Sequence, residues 1–84
     1  MRIIYDEAKR QSNIAKHGMD FAALSVEFFL SCHVEPAKQE RLLAIGMLEG
    51  VMVIAVVFRP LGTEAISVVS MRRASTKERK SIDG

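Results

Sequence analysis

Eight consecutive apolar residues, Val51-Met52-Val53-Ile54-Ala55-Val56-Val57-Phe58, constrain this chain more than any other stretch. Most are β-branched, and such side chains favour extended backbone over helix. The run is far short of the roughly 20 residues that a membrane-spanning helix needs. It therefore reads as a central strand, apolar on both faces and covered on both. Other strands must flank it, and helices must supply the cover.

The neighbouring segments provide these parts. Arg41–Met47 reads as a strand, Leu48-Glu49-Gly50 as a tight turn, and Arg59–Glu64 as a loop marked by Pro60 and Gly62. Ala65–Met71 is the next strand, and Cys32–Glu35, closed by Pro36, is a short one. Upstream the pattern is helical. Arg2–Tyr5 is a short strand, after which Asp6 is placed to cap a helix from Glu7 to about His17. Gly18 supplies the left-handed residue that ends it. Asp20 is placed to cap a second helix from Phe21 to about Leu30, with Met19 stapled against Leu24. Ser75-Thr76-Lys77-Glu78 is a capping box that opens a last helix toward Ile82. Helices followed by strands imply an α+β fold, here one domain over residues 1–84. The sheet is expected to be an antiparallel meander, with two N-terminal helices and a short C-terminal one.

A core of that size is affordable for 84 residues that are 49% apolar, and 26% charge argues against disorder. The lone cysteine, Cys32, excludes an internal disulfide and any multi-cysteine zinc site, which suits a reducing compartment. Tyr5-Asp6-Glu7 interrupts the opening apolar residues, so no signal-peptide pattern forms. A cytoplasmic protein with no membrane partner is expected.

Net charge is +2, but it is unevenly spread. Residues 1–40 carry five Lys/Arg and six Asp/Glu, or −1; residues 41–84 carry seven and four, or +3. Arg72, Arg73, Lys77, Arg79 and Lys80 form a basic cluster that fits a polyanion. A second set lies in KRQSNIAKHG, where Lys9, Asn13, Lys16 and His17 fall on one helical stripe. Either this is a solvated face with His17 as a cap on the helix dipole, or it holds something anionic. Arg72 and Arg73 sit where a strand meets a capped helix, a place that favours phosphate. Taken bare, pairing of either Arg with Glu78 or Glu64 explains them better.

Other chemistries find no foothold. There is no glycine-rich phosphate loop and no HExxH. Cys32 and His33 are adjacent on a strand and point to opposite faces, which disfavours both a shared metal and a nucleophile–base pair. No metal or other cofactor is expected.

Three landmarks together resemble the BrnT family of toxins, a branch of the RelE-like ribonucleases. Asp6, Lys9, Asn13, Lys16, His17, Gly18 and Phe21 match its opening signature. Arg41, Ile45 and Gly46 match the middle one, and Ser70, Arg72, Arg73, Ala74, Glu78 and Arg79 the last. The resemblance implies a small RelE-like fold that cuts RNA without a metal, as the toxin of a type II toxin–antitoxin system. It also implies neutralisation by a ribbon-helix-helix antitoxin, BrnA, in a complex that binds operator DNA.

On that basis Arg72 and Arg73 are expected to clamp the scissile phosphate, while His17 transfers protons and Lys16 assists. Lys9, Asn13, Arg59, Lys77 and Arg79 would bind the RNA backbone, with Glu40 and Glu78 as reserve bases. Ser67 stands where many relatives have Arg, and a Tyr common after the Glu-Arg pair is replaced around Ser81-Ile82. The rival expectation is therefore a catalytically weak homologue that only binds antitoxin and helps repress the operon.

Overall fold

The computed structural model describes residues 1–83. Its elements run β1 (Arg2–Ile4), α1 (Glu7–His17), a 3₁₀ turn (Phe21–Ala23), α2 (Val26–Ser31), β2 (His33–Pro36), β3 (Leu42–Leu48), β4 (Met52–Leu61), β5 (Ala65–Arg73) and α3 (Thr76–Asp83). The five strands form one sheet in the order β1-β5-β4-β3-β2, so the Val-rich strand is indeed central. Mixed α+β architecture holds, with three corrections.

First, the sheet is not wholly antiparallel. β2 to β5 form a meander, but β1 pairs in parallel with β5, Arg2 opposite Ala65 and Ile4 opposite Ser67. The α1-to-β4 excursion returns the chain to the far edge, where β1 waits in the same direction. Second, the expected second helix is broken. Asp20 accepts from Ala22 N at 2.8 Å and caps only a 3₁₀ turn. Leu24 is extended, and Ser25 then caps a separate α2 through Phe28 N at 3.3 Å.

Third, β4 continues through Arg59-Pro60-Leu61, expected to be loop. β3 stops pairing at Leu42 opposite Phe58, so beyond that point β4 is an edge on one side. An edge tolerates proline, whose missing N–H leaves no ladder bond broken. A bulge beside Val57 and Phe58 shifts the β4–β5 register there.

α1, the 3₁₀ turn and α2 cover one face of the sheet. Beneath them lie Phe21, Phe28, Ala44, Ile54, Val56, Phe58, Val68 and Met71. Edge-to-face contacts tie Tyr5 to Phe21 at 5.5 Å and Phe29 to Phe58 at 5.4 Å. Gly46 is needed here for space: a Cβ would stand 3.0 Å from the Phe28 ring. On the other face α3 packs over one corner of the sheet, near β3.

The caps form as the residue types demand. Asp6 accepts from Ala8 N at 2.9 Å, and Gly18, at φ 69°, closes α1 through its N–H to Ile14 O. Glu78 and Ser75 exchange both bonds of the capping box, at 2.8 and 3.1 Å.

Candidate active site

Alternation along β5 decides which cations can act together. Arg73 lies opposite Ile54 and shares the helix-covered face; Arg72 lies opposite Ala55 and points to the other. The expected clamp of Arg72 and Arg73 on one phosphate is therefore corrected: the sheet separates them.

On the helix-covered side two clefts adjoin. One, of about 280 Å³, is lined by His17, Gly18, Met19, Asp20, Ala23, Leu48, Met52, Met71 and Arg73. The other, about 180 Å³, is lined by Lys9, Ser12, Asn13, Lys16, His17, Val69 and Ser70. His17, exposed at the end of α1, belongs to both. Lys9, Lys16, His17 and Arg73 have no ion-pair partner among the described residues.

Among the described residues Asp20 is the only carboxylate lining these clefts, and Arg10, which also bonds Glu7 at 2.7 Å, grips it with Nε at 2.7 Å and a terminal nitrogen at 2.8 Å. That guanidinium, helped by the Ala22 amide, holds the Asp20 carboxyl at about 2, well below the usual range. Among the described residues, Lys9, Lys16 and Arg73 thus face these clefts with no carboxylate bonded to them.

Asn13 does not extend that stripe, and its expected contact with RNA is corrected. It is 5% exposed, and its side-chain amide donates to Met19 O at 3.0 Å and Met71 O at 2.9 Å. Its oxygen accepts from Met71 N at 3.0 Å. All its polar capacity toward the protein is committed to joining α1 and the post-helix turn to β5. The loss of one cation-side ligand is the gain of a fixed α1, which sets where Lys9, Lys16 and His17 stand.

Arg72, on the opposite face, makes two parallel bonds to Glu78 at 2.8 and 2.9 Å. This holds the Glu78 carboxyl at about 2 and raises Arg72 in turn. Glu78 as a reserve base is thereby ruled out, since it serves Arg72 and the cap at once. Arg72 positions α3. Lys77 lines a cleft under α3 with Glu35, Ser75, Glu78 and Ser81, and Arg79 is exposed on that helix. Neither is near His17.

Arg59 stands directly opposite Ser67 across β4 and β5, so it occupies the neighbourhood of the substituted position, again on the face away from His17. Glu40 sits in the β2–β3 turn, where Gln39 and Glu40 both have φ of 60°. That turn is at the Phe58 end of the sheet, whereas the His17 cleft is at the Leu48 and Met52 end.

Two features escaped the sequence reading. His33 Nε2 lies 3.1 Å from Glu35, both on the α3-side face because they are two apart on β2. Their spacing alone signalled this. Leu48 and Met52, which floor the larger cleft, give no such signal, because tight-turn flanks are ordinarily just apolar. Cys32 is half-buried, and burial pushes its thiol up, away from nucleophile behaviour. Among the described residues no three His, Cys, Asp or Glu side chains cluster as metal ligands would.

Comparisons with known proteins agree with these landmarks. The family described as the ribonuclease toxin, BrnT, of type II toxin–antitoxin systems matches residues 5–78. The chain is 62% identical to the Brucella abortus ribonuclease toxin, BrnT, whose crystal structure is known at 1.1 Å. That match covers 90% of this chain and 99% of the Brucella chain, with a TM-score of 0.84. No curated protein matches it.

Proposed function

This chain belongs to the BrnT family of ribonuclease toxins of type II toxin–antitoxin systems, and from that premise we propose that it cuts RNA at His17 without a metal. The observation that carries the assignment of the site is the convergence of one imidazole and three unpartnered cations, Lys9, Lys16 and Arg73, on two adjoining clefts. Such a set attracts a phosphodiester and can perform proton transfer beside it.

In this reading Arg73 and Lys9 hold the phosphate and offset charge as it builds on the non-bridging oxygens. Neutral His17 takes the proton of the 2′-hydroxyl, whose oxygen bonds to phosphorus. The bond from phosphorus to the 5′-oxygen breaks, and Lys16 gives that oxygen a proton. The products are a 2′,3′-cyclic phosphate and a 5′-hydroxyl end. Imidazole suits the first task because it changes charge near neutral pH.

One observation favours a second placement. His33, oriented by Glu35, lies in register across the sheet with Ile45, Ala55 and Arg72. A carboxylate-oriented imidazole is a common form of catalytic base. The two placements are separated by assaying purified His17→Ala and His33→Ala proteins on a labelled RNA, with EDTA present. Loss of cyclic-phosphate products only in His17→Ala supports the first; loss only in His33→Ala moves the site to the α3 side; loss with EDTA alone overturns metal independence.

The finer family expectations complete the reading. The fold is RelE-like, supported by helices that precede a meander on one sheet. The partner is a BrnA-type ribbon-helix-helix antitoxin, and their complex binds operator DNA. Both proteins work in the cytoplasm, and no described helix is long and apolar enough to cross a membrane. If expression leaves growth and RNA intact, Ser67 and the missing Tyr favour the antitoxin-binding, co-repressor alternative.

A further inference from the structure

The larger cleft beside His17 is built for more than phosphate. Its mouth carries the imidazole of His17 and the guanidinium of Arg73, but its floor is Leu48 and Met52 over the fully buried Met71. Its volume of about 280 Å³ is close to the lower end of small-ligand clefts, about 300 Å³. The adjoining cleft is walled instead by Lys9, Ser12 and Lys16. An apolar hollow and a cationic one thus meet at a single imidazole.

A single-stranded RNA has the same alternation, one flat apolar base for each anionic phosphate. Unpaired bases are ordinarily seated on aromatic side chains. No aromatic residue lines this cleft, but thioethers also make favourable contacts with aromatic rings, and the half-buried Met52 supplies one, with Met71 sealed beneath it. Asp20 in the wall has both carboxylate oxygens turned onto Arg10, which weakens its repulsion of a strand.

We propose that this cleft is a nucleobase subsite, which takes the unpaired base next to the scissile phosphate; this rests on the reading that RNA is cut at His17. Occupation of the hollow orients the ribose toward His17 while Arg73 faces the phosphate at the cleft mouth. The occupant is RNA rather than an apolar peptide because Arg73 at the mouth and Lys9 and Lys16 in the cleft alongside offer three phosphate contacts in one track.

The test uses short RNAs cut at one mapped position, each carrying an abasic ribose at a different place. Placing the abasic site at one of the two nucleotides flanking the cut is expected to raise KM roughly tenfold or more, and elsewhere under about threefold. Ala23→Phe, at the exposed wall of the cleft, fills the hollow and is expected to give the intact RNA the KM of the abasic one. Met52→Ala should narrow the same difference, and Val51→Ser, exposed at the nearby turn, should leave it unchanged. Thermal midpoints close to that of the wild type show that the variants fold.

If the wild type cleaves intact and abasic RNAs alike at every position, the base subsite is overturned while the ribonuclease reading stands. If no RNA is cut at all, the ribonuclease reading itself has failed. If Ala23→Phe cleaves normally but escapes its antitoxin, the cleft belongs to the protein partner and the proposal falls.

Discussion

On the helix-covered face of the sheet, Lys9, Lys16, His17 and Arg73 have no carboxylate partner among the described residues. On the opposite face, under α3, Arg72 is paired with Glu78 and His33 with Glu35. The residue types are the same in both places; what differs is whether their charge is already answered. A guanidinium with two short bonds to a carboxylate fixes a helix and presents little net charge to a ligand. A guanidinium at the mouth of a cleft, with no carboxylate bonded to it, is left to water or to an incoming anion. Arg72 and Arg73 are consecutive in the chain, yet the two-residue period of β5 gives them these separate tasks.

The sharpest way to break this comparison is at the two histidines. His17→Ala is expected to lower kcat for RNA cleavage by about 10²- to 10⁴-fold, the usual contribution of a proton-transfer group. His33→Ala should stay within about threefold by the same measurement, since it would remove only a positioned side chain on the far face. A reversed pair of results would assign catalysis to the α3 side.

The next largest effect is expected on stability. Asn13→Ala would leave Met71 N, Met71 O and Met19 O without their buried partner. Equilibrium urea unfolding should show a loss of about 2–4 kcal/mol, from one to three per orphaned group with some rescue by water. A loss below about 0.5 kcal/mol would show that the amide is dispensable and could face solvent after all.

Arg72→Ala should be milder, about 1 kcal/mol, because the pair is partly solvated and screened. Its signature lies in pH. Glu78 is held at about 2 against an ordinary 4.5, so the native state is the weaker proton binder. The pairing therefore contributes fully above pH 4.5 and fades as pH falls toward about 2. Urea midpoints measured down that range should fall more steeply for the wild type than for Arg72→Ala. Cleavage at neutral pH by a folded Arg72→Ala protein should be close to normal, and its abolition would contradict the division of labour between the faces.

Smallest is the effect of Lys9→Ala. Removing one phosphate contact should reduce the slope of log affinity for single-stranded RNA against log salt by about 0.7. An unchanged slope would exclude Lys9 from the strand's path.

Much of the fold was legible locally. Asp6, Gly18 and the Ser75–Glu78 box did what their chemistry predicts, and the apolar run at 51–58 became the central strand. The break at Leu24 was less so, because Ser25 and Asp20 compete as caps over a few residues of similar hydropathy. The parallel edge and Asn13's partner could not be read at all. Each is a contact between distant segments, 58 residues apart in the case of Asn13 and Met71, and no local pattern encodes which strand it reaches.

The candidate site was half legible. His17 and the lysines were visible as a stripe, but the assumption that every polar residue on the stripe faces outward failed at Asn13. The Arg72–Arg73 clamp failed for a reason that strand periodicity already contained.

The pairing of β1 with β5 bears on when such a protein becomes dangerous to the cell that makes it. Residues 2–4 are made well before their partners at 65–67, and Met71, which Asn13 needs, and Arg73 follow those. Until β5 has been made, α1 has no strand to be fastened to and His17 has no cleft. A partly made chain therefore carries His17 and its lysines without the strand that would complete the candidate site, and β5 is the element that completes it.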